Sequence, residues 1–546
     1  MAGVTGSLTR VRPPRRRRRR WRSTIPRAFL SLLALAVVAV GAVAAGVVGW
    51  SGVTLTADSS ELARLELQPL AGSLVSAKAH GPAGATIPVA VEHGRLVPKA
   101  VLDPGVRVTV EVVVRRPRWL GWAVGRTRHE QLTVETPVAR VPNRWLTLRQ
   151  GTSLRVRFAA GIDRIAYRGR TIAAGGRHAV LLGRQRPAGM AVVSAAARPW
   201  ERLGAPLRLS WFTAASHSAV LVSPGPRTTV SPLATIRLTF QKPVAAVLGS
   251  AAPRFSTSVS GRWLTVDSHT LLFRPRSFGF PFSSKLHLVL PHAVGVIAGS
   301  KTAPARAIDW TVSSGSLVRL HQLLAQEGYL PVDWQPAGEA VAETARAEIG
   351  AAVTAPPGRF AWRYSNTPSQ LTSQWNPKVV TQITRGAVMM FEDEHDLTVD
   401  GFAGPHVWRT LVADAIAGKR RSAGYSYVYV HTRLPQLLTL WRNGEVVLTS
   451  PGNTGMASAP TQPGTYPVFE HIPVGTMSGT NPDGSHYHDP GIRWISYFHG
   501  GDALHAFTRA SFGTPQSLGC VELPLPAAAK VWPFTPIGTL VTIENA

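Results

Sequence analysis

Ala28 to Trp50 reads AFLSLLALAVVAVGAVAAGVVGW, 23 residues with no charge, Asn, Gln or Pro, and it follows directly on an arginine run. At 1.5 Å rise per residue such a helix crosses a hydrocarbon core of roughly 30 Å with some tilt, whereas a signal-peptide core of about 7–15 apolar residues would not. Met1 to Arg27 hold ten arginines (Arg10, Arg12, Arg15 to Arg20, Arg22 and Arg27) and no acidic residue. Positive charge stays on the cytoplasmic side of a membrane helix. The expectation is a single-pass membrane protein with a cytoplasmic tail over 1–27, a span over 28–50, and everything from about Ser51 outside the cell membrane. Ala42-Val43-Ala44 fits a small-x-small cleavage pattern, so a cleaved, secreted form is the alternative. Anionic lipid and topology account for a basic run that abuts an apolar span, and no nucleic-acid partner is expected from it.

The chain of 546 residues has a formal net charge of +29, of which +19 remains on the rest once those ten arginines are set aside. A surface this basic attracts anionic polymers outside the membrane. Arginine outnumbers lysine 51 to 8 and alanine, glycine and valine abound, a bias typical of a GC-rich bacterial genome. Cys520 is the single cysteine. An exported chain usually pairs its cysteines or has none, so a lone thiol is reactive, bonded between molecules, or buried and inert.

Length sets an expectation of several domains. From about Ser51 to Ala214, short alternating runs such as RVTVEVVV (Arg107 to Val114) and SLRVRFAAG (Ser153 to Gly161) are separated by Pro and Gly clusters, which reads as β-sandwich domains. The expected boundaries are a β-sandwich-like domain over 51–142 and a small β domain over 143–215. LVSPGPRTTVSPLATIRLTFQKPV (Leu221 to Val244), with LTVDSHTLLFRP and SKLHLVLP after it, resembles the bacterial Ig-like modules of cell-surface proteins, over 216–315. Together these regions read as a stalk without catalytic residues.

The period changes at Ser316. In SLVRLHQLLAQEGYLP, Leu317, Leu320 and Leu324 share a helical face and Gly328 is placed to end the helix. TRGAVMMFEDEHDLTVDGFAGPHVWRTL (Thr384 to Leu411) then reads as helix, Asp-Gly turn and helix. The pair resembles the peptidoglycan-binding domain found beside many wall enzymes, with Val388, Phe391, Leu397, Asp400, Gly401, Gly404 and Leu411 on its pattern; Phe391, Asp400 and Gly401 are its candidate binding residues. Glu392 replaces the usual Gln, Val407 replaces a common Thr, and about 45 residues around Ala337 to Val380 are inserted. The expected domain spans 316–420, and a spacer that binds nothing is the alternative.

From Tyr425 the period returns to two. YSYVYVHT reads as a strand and LLTLWRNGEVVLTS as a hairpin whose Asn443-Gly444 supplies positive φ angles. The stretch HAFTRASFGTPQSLGCVELP (His505 to Pro524) resembles the catalytic signature of the L,D-transpeptidases, the YkuD-type domain, in which a histidine precedes a Ser/Thr-x-Gly-Cys turn. SPGNTGMASAPTQPGTYPV, TMSGTNPDGSHYHDPGIRWISYFHGGDALH and WPFTPIGTLVTIEN extend the likeness over the domain expected at 421–546. The fold class is therefore multidomain and mostly β: transmembrane helix, β-sandwich and Ig-like stalk, small helical peptidoglycan-binding-like domain, and C-terminal β-rich YkuD-like domain.

That resemblance implies Cys520 as nucleophile, His505 as general base, backbone N–H groups near Gly519 and Cys520 as oxyanion donors, and Ser517 as the residue shaping the turn. Glycine at 519 would also keep a side chain from crowding the approaching carbonyl. Thr476, Tyr487, His499 and Glu522 fall on the substrate side. The implied activity is acyl transfer between peptidoglycan stem peptides at the cell wall, without cofactor or metal. Leu518 stands where many members have His, which puts more of the proton transfer on His505. Glu522 stands where Asn or Arg is common, either as a charge near the thiolate or as a contact for a cationic substrate group. His486, His488 and His499 invite a rival reading as a zinc-dependent wall peptidase; a non-catalytic wall-anchoring protein is the other alternative.

Overall fold

Strand Arg107–Arg115, RVTVEVVVR, buries every second residue: Val108, Val110, Val112 and Val114 are fully covered and the arginines at both ends face water. That alternation forces a two-layer solution, because one apolar face needs another. The computed structural model supplies it. It describes residues 27–544 except 59, 150, 187, 214–217 and 299–300, so the arginine run before Arg27 lies outside the described residues. The chain is mostly β and divides into two units, the first made of residues up to 144, 153–184 and 190–209, the second of residues 145–152, 185–189 and 210 onward.

The first unit begins with the continuous helix Arg27–Trp50, whose Ser31–Trp50 part is long and apolar enough to cross a membrane. No linker follows. Leu70 N–H donates to Trp50 O and Gln68 N–H to Gly52 O, so the helix end is bonded into the next layer, and strand Val53–Ala57 starts at once. One sheet has the order Val53–Ala57, Ala63–Leu67, Arg95–Pro98, Val89–Glu92. The other has the order Thr86–Ile87, Leu74–His80, Arg107–Arg115, Thr127–Glu135. Their shared core also takes in Trp200, so the stretch 143–215, expected as a separate small domain, reaches back into the first sandwich.

In the second unit, residues 219–312 form a large sheet around Phe240, Phe273, Phe280 and Trp310. The period change at Ser316 is a helix, Leu317–Gln326, started by the Ser316 hydroxyl, which accepts Arg319 N–H. Gly328 follows its end at φ +92°. The inserted residues form the helix Ala345–Val353 and the strand Gly358–Trp362, which pairs with strand Val332–Pro336 just before the insertion. Helices Gln382–Glu394 and Pro405–Ile416 complete the segment.

Phe391, a candidate binding residue, is fully buried and stacks on His395, so it is a core residue of this segment and presents no binding surface. The Glu392 carboxylate accepts the N–H groups of Asp400 (3.0 Å) and Gly401 (2.8 Å). Asp400 and Gly401 are thus the turn that this carboxylate clamps, and burial pushes its carboxyl up to about 7.

The C-terminal part, from Ser426 on, has two sheets. Five strands lie in the order Glu445–Pro451, Leu437–Arg442, Ser426–His431, Leu540–Ile543, Gly464–Pro467. Four lie in the order Glu470–Thr480, His486–His499, Asp502–Ala506, Val521–Leu523. Asn443 and Gly444 have φ of +48° and +93°, as the hairpin reading requires. Val428, Val430, Leu438, Leu440, Phe498, Leu504, Val521 and Val541 fill the space between the sheets.

Candidate active site

Strands Asp502–Ala506 and Val521–Leu523 run parallel, with Leu504 opposite Val521 and His505 opposite Glu522. Side chains alternate along a strand, so His505 and Glu522 share a face. Cys520, two residues before Glu522, continues that face. The loop between them lets the chain return in the same direction, which is why a histidine and a cysteine fifteen residues apart reach one cavity of about 270 Å³. Met456, Met477, Ile492, Phe507 and Leu518 form its apolar wall, and Asn481, Tyr487, Asp489, Arg509, Gln516, Ser517 and Glu522 its polar one.

The turn is held from three sides. Ser517 Oγ donates to Cys520 O at 2.5 Å and accepts Gly519 N–H at 3.3 Å. Ser517 N–H donates to Thr454 O, and Ser517 O accepts Met456 N–H. Gly519 sits at φ +121°, and a Cβ there would lie 2.2 Å from Asp502 Oδ1. Two local reasons for this glycine stand beside the expected clearance for a substrate carbonyl: a backbone conformation that L residues avoid and the neighbouring Asp502 carboxylate.

His505 is buried, and its Nδ1 lies 2.9 Å from the Ala506 carbonyl. A carbonyl only accepts, so Nδ1 carries the hydrogen and Nε2 is left as the basic nitrogen. Burial lowers the imidazole pKa below its usual value, so the ring is neutral at pH 7. The half-buried Cys520 donates its thiol hydrogen to Gly501 O at 3.6 Å. Burial pushes this thiol up to about 12, helped by the Asp502 and Glu522 carboxylates and opposed by Ala503 N–H. Cys520 thus rests as a neutral thiol in the same cavity as the neutral imidazole of His505.

Glu522 has a definite partner. Arg509 grips it bidentately, Nε to Oε2 at 2.8 Å and Nη2 to Oε1 at 2.6 Å, and Asn453 Nδ2 adds a contact at 3.4 Å. Its carboxylate is therefore engaged by the protein's own guanidinium, which in turn lies over the Phe507 ring. The sequence analysis does not single out Arg509 and Asn453; the one arginine between the histidine and the cysteine, with a glutamate where Asn or Arg is common, is the available signal.

Tyr487 and Glu522 line the cavity with Cys520, His505 and Ser517, whereas Thr476 and His499 do not. Along strand Glu470–Thr480, Thr476 faces out between Gly475 and Met477, and Met477 reaches the wall; the register irregularity here is an extra residue in the partner strand, where Gly475 pairs with Ile492 and Met477 with Asp489. His499 Nδ1 lies 3.5 Å from Asp502 Oδ2 and its ring packs on Tyr466. His486 and His488 contact Thr480 and Ser478 hydroxyls on the neighbouring strand. Among the described residues no three His, Cys, Asp or Glu side chains come together as a metal site.

The family model of the YkuD L,D-transpeptidase catalytic domain matches residues 425–543. Among solved structures, the chain is similar to an L,D-transpeptidase from Mycobacterium smegmatis (14% identity, 60% of this chain and 100% of that one, TM-score 0.21). It is also similar to L,D-transpeptidase 3 from Mycobacterium tuberculosis (11% identity, 60% and 99%, TM-score 0.21). A third is the catalytic domain of an L,D-transpeptidase from E. faecium (22% identity, 22% and 99%, TM-score 0.20). No curated protein matches the chain. Residues 425–543, which carry the cysteine, the histidine and the cavity they share, are an L,D-transpeptidase catalytic domain of the YkuD family.

Proposed function

We propose that this chain is a membrane-anchored L,D-transpeptidase that forms 3→3 cross-links in peptidoglycan through a thioester on Cys520. The observation that supports it most is the neutral Cys520 thiol sharing one cavity and one strand face with His505, whose Nε2 is free to accept a proton. In the donor step Sγ attacks the carbonyl of the third stem residue, meso-diaminopimelate, as its proton moves to Nε2. The peptide bond to the terminal D-Ala breaks and its amine leaves with that proton. In the acceptor step a diaminopimelate amine of a neighbouring stem attacks the thioester, gives its proton to Nε2, and releases Sγ, which regains it. The cleaved peptide bond supplies the acyl energy, so no nucleotide is consumed.

Helix Arg27–Trp50 would anchor the chain with its arginine-rich tail in the cytoplasm, the β regions would hold the enzyme away from the membrane, and the helical segment would contact the wall beside it. The remaining +19 charge favours anionic wall polymers. The test is intact-mass analysis of the full chain with a purified tetrapeptide stem. The wild type should gain the mass of the acyl tripeptide and release D-Ala, Cys520→Ala should do neither, and His505→Ala should acylate at least ~100-fold more slowly. A folded wild type that gains no mass and releases no D-Ala refutes the proposal.

A further inference from the structure

The hairpin between strands Arg107–Arg115 and Thr127–Glu135 is a surface without a place in the activity above. Its tip, RPRWLGWAVGR from Arg116 to Arg126, is a folded unit: Arg116 N–H donates to Arg126 O, its guanidinium to Val124 O, and a short helix spans Gly121–Val124. Leu120 is turned in and buried, while Trp122 is 88% and Trp119 58% exposed. Three exposed arginines (Arg115, Arg118 and Arg126) flank these rings, while Arg116 is turned onto the tip's own backbone and Arg128 pairs with Glu130 at the base.

The tip's position relative to the apolar helix is fixed within the first unit. Arg128, one residue beyond the base pair Arg115–Thr127, donates from Nη1 to Val48 O in the last turn of helix Arg27–Trp50 at 3.1 Å. Leu70 N–H donates to Trp50 O and Gly72 N–H to Arg115 O, so the other strand of the hairpin base is bonded two residues from the helix end. Strand Arg107–Arg115 runs toward this end and Thr127–Glu135 away from it, so the tip projects beyond the sandwich at the end where the helix joins.

We infer that this tip is a second membrane contact: Trp119 and Trp122 lie in the headgroup layer of the leaflet reached by the helix's C-terminal end, and the surrounding arginines bind lipid phosphates. Indole rings with an apolar body and an N–H favour that layer, and guanidinium groups match phosphate. A polyanion of the wall would account for the arginines, but not for two tryptophans held out of the fold beside a membrane helix. The contact would fix the angle of the first sandwich on the bilayer. The inference rests on the proposed membrane anchor, and its test separates the two.

The full chain with Cys520→Ser, to leave one thiol, is labelled with an environment-sensitive dye at Trp122→Cys, Trp119→Cys or Val43→Cys. Each is reconstituted in phosphatidylglycerol–phosphatidylethanolamine vesicles containing lipids with a nitroxide at the headgroup or at mid-chain. The dye at Val43→Cys should be quenched by the mid-chain nitroxide. Dyes at both tryptophan positions should emit at shorter wavelength than in detergent-free buffer controls of the bare dye and lose more than half their intensity to the headgroup nitroxide. A quenched Val43 dye with unquenched dyes at 119 and 122 overturns the hairpin contact alone, as does protection of those two dyes only by an added anionic wall polymer. An unquenched Val43 dye overturns the anchor and the contact together.

Discussion

Cys520 and His505 line one cavity as two neutral groups, and under the proposed mechanism this sets the pH behaviour of the reaction. Burial holds the thiol up to about 12 and the imidazole below its usual value. A raised thiol pKa means almost no thiolate across the neutral range, and a lowered imidazole pKa means that the base takes up a proton only at a pH below that of an ordinary histidine. Proton transfer must accompany attack. The second-order rate of acylation by a carbapenem, whose strained β-lactam carbonyl mimics the peptide, should be flat from about pH 7 to 9 and fall only on the acid side. A rate climbing in proportion to hydroxide through that range would show attack by thiolate formed before the acylation step, without a base in the site, and would remove His505 as the base. The sequence made the cysteine, the histidine and Ser517 legible because a short motif encodes their local turn. It left Glu522 with two readings, since its partner Arg509 is brought to it only when two parallel strands close the loop.

At the scale of elements, alternation and turn residues are what a sequence displays, and they carried the strands of the C-terminal part and the Asn443-Gly444 hairpin. Alternation says which residues share a face and not which face meets the cavity, so it could not tell that Met477 lines the wall while Thr476 faces out, nor that the partner strand carries an extra residue opposite them. Contacts between elements are equally hidden. Gly386, in the middle of helix Gln382–Glu394, faces Gly538 in the loop before strand Leu540–Ile543. A Cβ on Gly386 would lie 2.4 Å from Gly538 O, and one on Gly538, which also has φ +85°, 2.3 Å from Gly386 O. Helix propensity alone favours alanine over glycine at an interior position by about 1 kcal/mol. Backbone atoms on both sides cannot swing away, so overpacking of about 1–3 kcal/mol should win. Gly386→Ala is expected to lower the chemical denaturation midpoint, and a raised midpoint would show that helix and sheet separate without cost.

Across the whole second unit, the helical segment is no free appendage. Leu320, Leu323, Leu324, Phe391, Trp408 and Leu411 share one core with Tyr425, Tyr427, Trp441 and Leu540 of the catalytic domain, and Phe282 of the preceding β region enters the same cluster. The sequence reading separated these regions where the hydrophobic period changes. Period reports the local element; it does not report which neighbour covers its apolar face. Removal of the helical segment would uncover Tyr425, Tyr427, Trp441 and Leu540, each under 4% exposed. At about 1.5–3 kcal/mol for full exposure of each large apolar side chain, even partial uncovering takes a large share of a typical stability of about 5–15 kcal/mol. A chain starting at Ser316 should therefore unfold in one cooperative calorimetric transition. One starting at Tyr425 should melt at a much lower temperature and bind a hydrophobic dye before melting. If both melt together and neither binds dye, the catalytic domain owes nothing to the helices. The expected result would mean that a ligand or substitution loosening the helices also loosens strand Ser426–His431, which pairs directly with Leu540–Ile543 at the centre of the catalytic sheet.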